Sequence, residues 1–267
     1  MQGATTTRIK LCDTEVQYKV CGSGRAVILL HGWGCNMTTL ASIESMLSPH
    51  FTVYSLDFPG FGGSETPSSV WGVEEYTRML EAFVAALGIE SPTLIGHSFG
   101  GRVSILYASR NHTHKVILAD AAGAKPRRSL KYYYKVYTYK LGKQLLRLLL
   151  GKEKAEQRLG KMRRSAGSAD YNAVDGMMRR IFVKVVNEYL ETVMPLIKCP
   201  VQLIWGAKDT ATPLREARVM LRLIPHADLA VIDDAGHYSF LDNPFRFRAI
   251  VMAFLKEDIY NKQSSCN

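Results

Sequence analysis

A serine between two glycines is the strongest chemical signal in this 267-residue chain. Ser98 stands in Gly96-His97-Ser98-Phe99-Gly100, which matches the pattern G-x-S-x-G. This pattern places a serine on a sharp turn between a strand and a helix, where a Cβ on either glycine would collide with a neighbouring element. The first amides of the helix point at the same place and favour negative charge there. The motif therefore predicts a nucleophile elbow with Ser98 as the nucleophile.

A serine hydroxyl attacks a carbonyl only when a base takes its proton and a carboxylate orients that base. His237 is the predicted base, because it lies in a loop after the last predicted strand and can reach over the sheet edge to Ser98. Asp209 is the predicted carboxylate, because it begins the loop after the predicted strand Val201–Trp205. Asp120 ends the preceding predicted strand and is the alternative acid.

Acyl transfer also needs hydrogen-bond donors for an oxyanion. The amide of Phe99, directly after the nucleophile, is one predicted donor, and the amide of Trp33, in the loop after the apolar strand Ala26–Leu30, is the other. Three neighbouring residues are assigned to substrate binding: His31, Gly32 and His97. For both histidines a packing role is the alternative. No metal site is predicted.

The elements that must position these residues alternate along the chain, which predicts a doubly wound, mostly parallel sheet. Ligands bind beyond the carboxyl ends of the strands in such sheets, so residues that follow strands should converge there. An N-terminal hairpin spans residues 8–21, with Asp13-Thr14 between its strands. The predicted last helix, Pro244–Lys256, precedes a polar tail. Buried strands are predicted at Ala26–Leu30, Phe51–Leu56, Thr93–Ile95, Val116–Ala119, Val201–Trp205 and Leu229–Ile232.

Charge is distributed unevenly in this chain of net charge +10. Residues 124–186 contain seventeen lysines and arginines but four carboxylates, a net charge of +13, and their pattern is helical. This helical segment interrupts the alternation of strands and helices and so predicts two domains. One is a core formed by residues 1–123 and 196–267, and the other is an inserted all-helical cap formed by residues 124–195.

Five scattered cysteines and a polar start without an apolar signal-peptide core predict a cytoplasmic protein.

Five motifs in chain order resemble the α/β-hydrolase superfamily, specifically its serine hydrolases with a helical cap. They are His31-Gly32-Trp33-Gly34, Asp57-x-Pro-Gly-x-Gly, Gly96-x-Ser-x-Gly, Gly206-x-x-Asp209 and Gly236-His237. The resemblance covers nearly the whole chain. It implies an α/β-hydrolase fold, a mostly parallel twisted sheet with helices on both faces and an inserted cap. It also gives Ser98, Asp209 and His237 the catalytic roles, and it implies no cofactor.

The expected activity is hydrolysis of a carboxylic ester or a thioester through an acyl-enzyme on Ser98. A C–C bond hydrolase and an amidase or aminopeptidase are alternatives, because the same three residues serve all of these reactions. A non-catalytic ligand-binding protein of this fold is the alternative from another class. The nucleophilic serine argues against the similar dehalogenases and epoxide hydrolases, which place an aspartate there.

The basic segment, residues 124–186, has three alternative explanations. It forms a solvated surface of ordinary cap helices, it attracts an anionic small-molecule acyl substrate, or it makes transient contact with an anionic membrane surface. Nucleic acid is not expected as a partner, because it would leave the catalytic residues unexplained. Stable membrane insertion is not expected either, because no apolar run approaches the ~18 residues needed to span a bilayer.

Overall fold

The computed structural model describes residues 6–127 and 176–264, together with four single positions between them: Thr138, Gly142, Lys143 and Leu146. Most of the predicted cap therefore lies outside the described residues, and the division into core and cap stays a prediction. Within the described ranges, no helix is both long enough and apolar enough to cross a membrane.

Eight strands form one sheet, and together with the helices around it they confirm the predicted fold class. The strands are β1 (Thr6–Leu11), β2 (Thr14–Gly22), β3 (Ala26–Leu30), β4 (Thr52–Leu56), β5 (Thr93–His97), β6 (Lys115–Ala119), β7 (Val201–Gly206) and β8 (Ala227–Ile232). Their spatial order is β1-β2-β4-β3-β5-β6-β7-β8. β2 pairs antiparallel with β1 and β4, and the remaining pairs are parallel.

Helices cover both faces of the sheet. In the described ranges the α-helices are α1 (Ala41–Leu47), α2 (Val73–Ala86), α3 (Phe99–Arg110), α4 (Gly176–Val185), α5 (Leu214–Leu223), α6 (Ser239–Asp242), α7 (Pro244–Phe254) and α8 (Lys256–Ser264). Short 3₁₀ helices occur at Met37–Leu40 and Met194–Leu196.

The central strands contribute to two hydrophobic cores, one on each face. In β3, Val27 and Leu29 belong to the core that α1, α6 and α7 cover, whereas Ile28 and Leu30 belong to the core that α2, α3, α4 and α5 cover. Successive strand side chains point to opposite faces, so a strand buried on both faces is apolar at every position. This explains why β3 is a continuous apolar run.

The arrangement of the parallel strands determines where a site can form. β3, β5, β6, β7 and β8 are consecutive neighbours in the sheet, and they all run in the same direction. The loops that leave their carboxyl ends therefore lie side by side along one edge. Every residue assigned a chemical role in the sequence analysis lies in one of these loops or directly beside it.

Two local predictions differ from the structure. The hairpin turn consists of Cys12 and Asp13, with φ of 48° and 62°, while Thr14 already pairs with Leu11. A two-residue hairpin turn of this type requires positive φ at both positions, which a β-branched threonine resists. At the other end, the predicted last helix Pro244–Lys256 ends at Phe254, and a further helix, α8, extends from Lys256 to Ser264. Its Asp258 lies 2.7 Å from both His114 Nε2 and Lys115 Nζ.

Candidate active site

Ser98 lies on a strained turn between β5 and α3. Its φ of 50° and ψ of −109° lie in a region that non-glycine residues rarely adopt. A Cβ on Gly96 would lie 2.5 Å from Ser104 Oγ, and a Cβ on Gly100 would overlap the carbonyl oxygen of Leu30. The two glycines therefore let α3 pack close against β5 and β3, and this packing holds the serine turn in place.

Three side chains from three loops form one hydrogen-bonded chain. His237 Nε2 lies 3.0 Å from Ser98 Oγ, and His237 Nδ1 lies 2.9 Å from Asp209 Oδ2. These are the residues that the sequence analysis selected as nucleophile, base and acid. In the sequence, 139 positions separate the serine from the histidine. The parallel order of the strands brings them together.

The surroundings of Asp209 keep its carboxylate ionised. Its side chain is fully buried, and burial alone would raise its pKa. Hydrogen bonds from His237 and Thr212 outweigh burial, so the Asp209 pKa lies below its ordinary value. The amides of Ala211 and Thr212 donate to Oδ1 at 2.8 and 2.9 Å. An ionised carboxylate only accepts hydrogen bonds, so His237 Nδ1 must donate, and Nε2 presents its lone pair to Ser98.

Asp120, the alternative acid, is occupied elsewhere. Its carboxylate accepts the backbone amides of Gly206 at 2.8 Å and Ser239 at 3.0 Å, and its φ is 46°. Burial raises the Asp120 pKa to about 7, against these hydrogen bonds. Asp120 therefore connects the ends of β6 and β7 to the loop that carries His237. This geometry favours Asp209 as the partner of the imidazole.

The two predicted oxyanion donors lie beside Ser98. Trp33 and Phe99 line the same cavity as Ser98 and His237, and their rings pack edge to face with centroids 5.6 Å apart. Phe99 is the first residue of α3, so its amide has no acceptor within the helix. Both residues therefore border the cavity beside Ser98, and the role of their amides as oxyanion donors stays a prediction.

His31 and His97, assigned to substrate binding from the sequence, do not line the cavity. Both are buried, and burial lowers the His31 pKa to about 4 and the His97 pKa to about 3, so both rings stay neutral. His31 Nε2 accepts the Phe58 amide at 2.9 Å, and Nδ1 lies 2.7 Å from the Gly32 carbonyl. His97 Nε2 lies 2.9 Å from the His237 carbonyl. Their contacts are those of packing and loop positioning, the alternative that the sequence left open.

Gly32, the third residue assigned to substrate binding, is buried between the two histidines. A Cβ on it would lie 2.8 Å from His97 Nδ1 and 3.3 Å from Ser98 Cβ. Glycine therefore allows the loop after β3 to approach the serine turn closely. A direct contact between Gly32 and substrate stays a prediction.

A cavity of about 250 Å³ opens above Ser98. Apolar residues form much of its wall, among them Ala122, Ala124, Phe182, Val185 and Val186. Two charged residues, Arg102 and Glu216, also line it, although each is only 7% exposed. Neither residue was predicted from the sequence. The available signal was the spacing of Arg102, four residues after the nucleophile on the same helix.

The residues around the cavity do not suggest a metal centre. In the part of the chain that the structure describes, no group of three or more histidine, cysteine or carboxylate side chains is arranged to hold a metal ion. Asp209 and His237 hydrogen-bond each other, and Asp120 is bonded to backbone amides.

A family model described as alpha/beta hydrolase fold matches residues 25–244. The match begins just before β3 and extends past the His237 loop, so it includes every element that carries a site residue.

Individual proteins of known sequence or structure resemble the chain over most of its length. An uncharacterized protein from Mycobacterium tuberculosis is 28% identical over 265 residues, 89% of this chain and 77% of that protein. A 2-hydroxy-6-oxononadienedioate/2-hydroxy-6-oxononatrienedioate hydrolase from Dechloromonas aromatica is 23% identical, over 93% of each chain. An esterase from Exiguobacterium antarcticum has a similar structure, with a TM-score of 0.73 and 22% identity over 94% of this chain and all of that one.

Proposed function

The chain belongs to the α/β-hydrolase fold family, and from this membership we propose that it is a serine hydrolase that cleaves a carboxylic ester or thioester through an acyl-enzyme on Ser98. One observation carries the proposal: the continuous hydrogen-bonded chain from Ser98 Oγ through His237 to Asp209, at 3.0 and 2.9 Å. A serine, an imidazole and a buried carboxylate in this order form the arrangement that activates a hydroxyl for acyl transfer.

In the first half of the reaction, Ser98 Oγ attacks the carbonyl carbon while His237 Nε2 takes the hydroxyl proton. The imidazolium that forms is stabilised by the carboxylate of Asp209, which stays ionised because four hydrogen bonds support it. The tetrahedral intermediate then collapses, and His237 returns the proton to the leaving alcohol or thiol. The acyl group remains bonded to Ser98.

In the second half, water takes the place of the alcohol. His237 removes a proton from a water molecule, whose oxygen attacks the acyl carbonyl, and the proton returns to Ser98 Oγ as the acid leaves. In each half the amides of Trp33 and Phe99 are proposed to donate to the oxyanion. Such donors contribute more to the transition state than to the ground state, because the negative charge develops only there.

A C–C bond hydrolase is the second candidate. It is favoured by one comparison, since the Dechloromonas aromatica relative, whose name is that of a hydrolase of 2-hydroxy-6-oxo dienedioates, matches 93% of this chain. The same serine, histidine and aspartate would serve that reaction, as they would an amidase or aminopeptidase. A binding protein without turnover keeps the fold but needs no aligned proton-transfer chain, so the geometry around Ser98 argues against it.

Labelling with a fluorophosphonate tests the proposal, because this reagent phosphonylates activated serines. Wild type is compared with Ser98→Ala and with Ser109→Ala, a matched control that removes a serine at the far end of α3. We expect wild type and Ser109→Ala to be labelled and to hydrolyse short nitrophenyl esters, and Ser98→Ala to do neither while staying folded. Labelling at Ser98 without ester hydrolysis would favour the C–C or amide alternatives. No labelling of wild type would contradict a catalytic serine.

A further inference from the structure

Two opposite charges border the cavity outside the proton-transfer chain. Arg102 on α3 and Glu216 on α5 each retain only 7% of their surface, yet both line the cavity above Ser98. Charged side chains are rarely buried to this extent unless they are paired or have a ligand. The reaction proposed above uses neither residue.

The guanidinium of Arg102 uses only part of its N–H donors within the described residues. Its Nη1 donates to the backbone carbonyl of Glu188. The four other N–H donors have no protein acceptor within the described part of the chain. Arg102 lies in the first turn of α3, the helix that begins directly after Ser98, and both residues line the same cavity. The unused donors therefore belong to a side chain that borders the space above the nucleophile.

The carboxyl group of Glu216 also has few hydrogen-bonding partners within the described residues. No hydrogen bond to its carboxyl group occurs within the described ranges, and it interacts with Arg102 only through space. Burial, together with the negative charge of Asp209, raises the Glu216 pKa to about 7, although Arg102 opposes this shift. A buried carboxyl group with such a pKa takes up a proton readily when another anion approaches. Arg102 would then be left as the uncompensated charge of the cavity.

We propose that Arg102 binds a carboxylate of the substrate, so that the enzyme selects esters that carry a carboxylate a few carbons from the scissile carbonyl. The inference rests on the proposed ester hydrolysis and adds the substrate class. A planar guanidinium with free donors matches the two oxygens of a carboxylate. The net charge of +13 over residues 124–186, counted from the sequence, also favours anionic ligands in general.

A purely structural role for Arg102 is the competing explanation. The bond to the Glu188 carbonyl does connect α3 to the segment after α4, but it occupies one donor of five. In this explanation Glu216 only compensates the charge of Arg102 through space. The two explanations differ in what happens to substrate selectivity when either charge is removed.

Selectivity is measured with two esters of equal size, 4-nitrophenyl hydrogen adipate and 4-nitrophenyl adipamate, which differ only in a terminal carboxylate or amide. We expect wild type to favour the carboxylate in kcat/KM by about tenfold or more, since hydrogen bonds to charged groups are the strong ones. Arg102→Met should bring this ratio to one or below. Arg110→Met, which removes an exposed arginine of the same helix, should leave it unchanged.

Glu216→Gln provides a second variant, because Arg102→Met also removes the bond to Glu188 and could fail to fold. Above the Glu216 pKa of about 7, loss of its negative charge should raise the carboxylate-to-amide ratio several-fold. A ratio near one in wild type, or an unchanged ratio in Glu216→Gln, would overturn the inference. If wild type hydrolyses both esters with equal kcat/KM, the inference about Arg102 is wrong, but the proposed ester hydrolysis stands.

Binding supplies a readout that does not depend on turnover. Calorimetric titration of the Ser98→Ala variant with methyl hydrogen adipate and with methyl adipamate compares the same two groups without hydrolysis. Tighter binding of the carboxylate, by about tenfold, supports the role of Arg102 even if neither nitrophenyl ester is cleaved. Equal affinities would contradict it whatever the reaction proves to be.

Discussion

The Asp209 carboxylate lies 2.9 Å from Nδ1 of His237. Asp120, which follows the neighbouring strand, instead accepts the amides of Gly206 and Ser239. Both aspartates were candidates from the sequence, because both follow strands whose carboxyl ends meet at one edge. The structure separates them by the direction of their side chains, and this separation leads to a direct test.

We expect Asp209→Asn to lower kcat/KM for a short ester by about a thousandfold or more, because an amide in place of the carboxylate no longer stabilises the imidazolium. Asp120→Asn should cost less activity, because Asp120 binds the Gly206 and Ser239 amides and not the imidazole of His237. The new amide nitrogen would face one of these two N–H donors and weaken loop packing, but the proton-transfer chain would keep its carboxylate. Steady-state kinetics on both variants decide the matter. A larger loss in Asp120→Asn would identify Asp120 as the acid.

The difference between these aspartates shows which features of the site the sequence could predict and which it could not. Alternating strands and helices, together with the resemblance, predicted the sheet and placed Ser98, His237 and both aspartates at one edge. They could not predict which way Asp120 points, because that depends on its φ of 46°. His31 and His97 were assigned to substrate binding because the sequence does not show that their rings are buried behind the cavity wall.

Arg102 illustrates the opposite case. It was not selected from the sequence, although it lies in the helix that begins directly after the nucleophile. Its importance became visible only when the structure showed that Glu216, from a helix more than one hundred positions later, borders the same cavity. Pairs of charges formed by distant segments follow from packing, and a single sequence does not reveal them.

The tight packing behind Ser98 predicts a large effect of one added methyl group. Gly100→Ala would place its Cβ against the carbonyl oxygen of Leu30, so either the helix or the strand must move. We expect a loss of about 3 kcal/mol or more in the free energy of unfolding, measured by urea denaturation. Gly88→Ala is the matched control: its Cβ meets open space, and only its φ of 61° is unfavourable, at about 1 kcal/mol. Equal losses would contradict the close packing.

The buried imidazole of His31 predicts a pH dependence of stability. Its pKa is about 4 in the folded protein, because burial disfavours the charged ring, but 6.5 is the ordinary value in an unfolded chain. The unfolded state therefore binds a proton that the native state does not, and stability falls as pH decreases from 6.5 toward 4. The contribution of one such group approaches about 1.4 kcal/mol per pH unit.

His31→Gln removes this titration while its side-chain oxygen can still accept the Phe58 amide. We expect the difference in unfolding free energy between wild type and variant to change by that slope between pH 6 and pH 4.5, in the direction that favours the variant in acid. Denaturation curves at several pH values measure it. A difference that stays constant with pH would mean that the His31 pKa is the same in the folded and the unfolded protein.

The basic segment predicts an effect of salt on catalysis. If its charge attracts an anionic substrate, a rise in ionic strength should lower kcat/KM for the adipate ester and leave the adipamate ester unchanged, because screening shortens the range of the attraction to about 10 Å at 0.1 M salt. Stopped-flow or steady-state rates across a salt series measure this. Parallel salt curves for the two esters would leave the segment as a solvated basic surface.

An acyl-enzyme on Ser98 is tested most directly by intact-protein mass spectrometry after rapid acid quench. Wild type is mixed with a short nitrophenyl ester, quenched within the first turnovers and digested to locate any added mass. We expect the mass of the acyl group on the peptide that contains Ser98, with no addition in Ser98→Ala. Two results would contradict Ser98 as the nucleophile. Either Ser98→Ala hydrolyses the ester as fast as wild type does, or the acyl group is found on another residue.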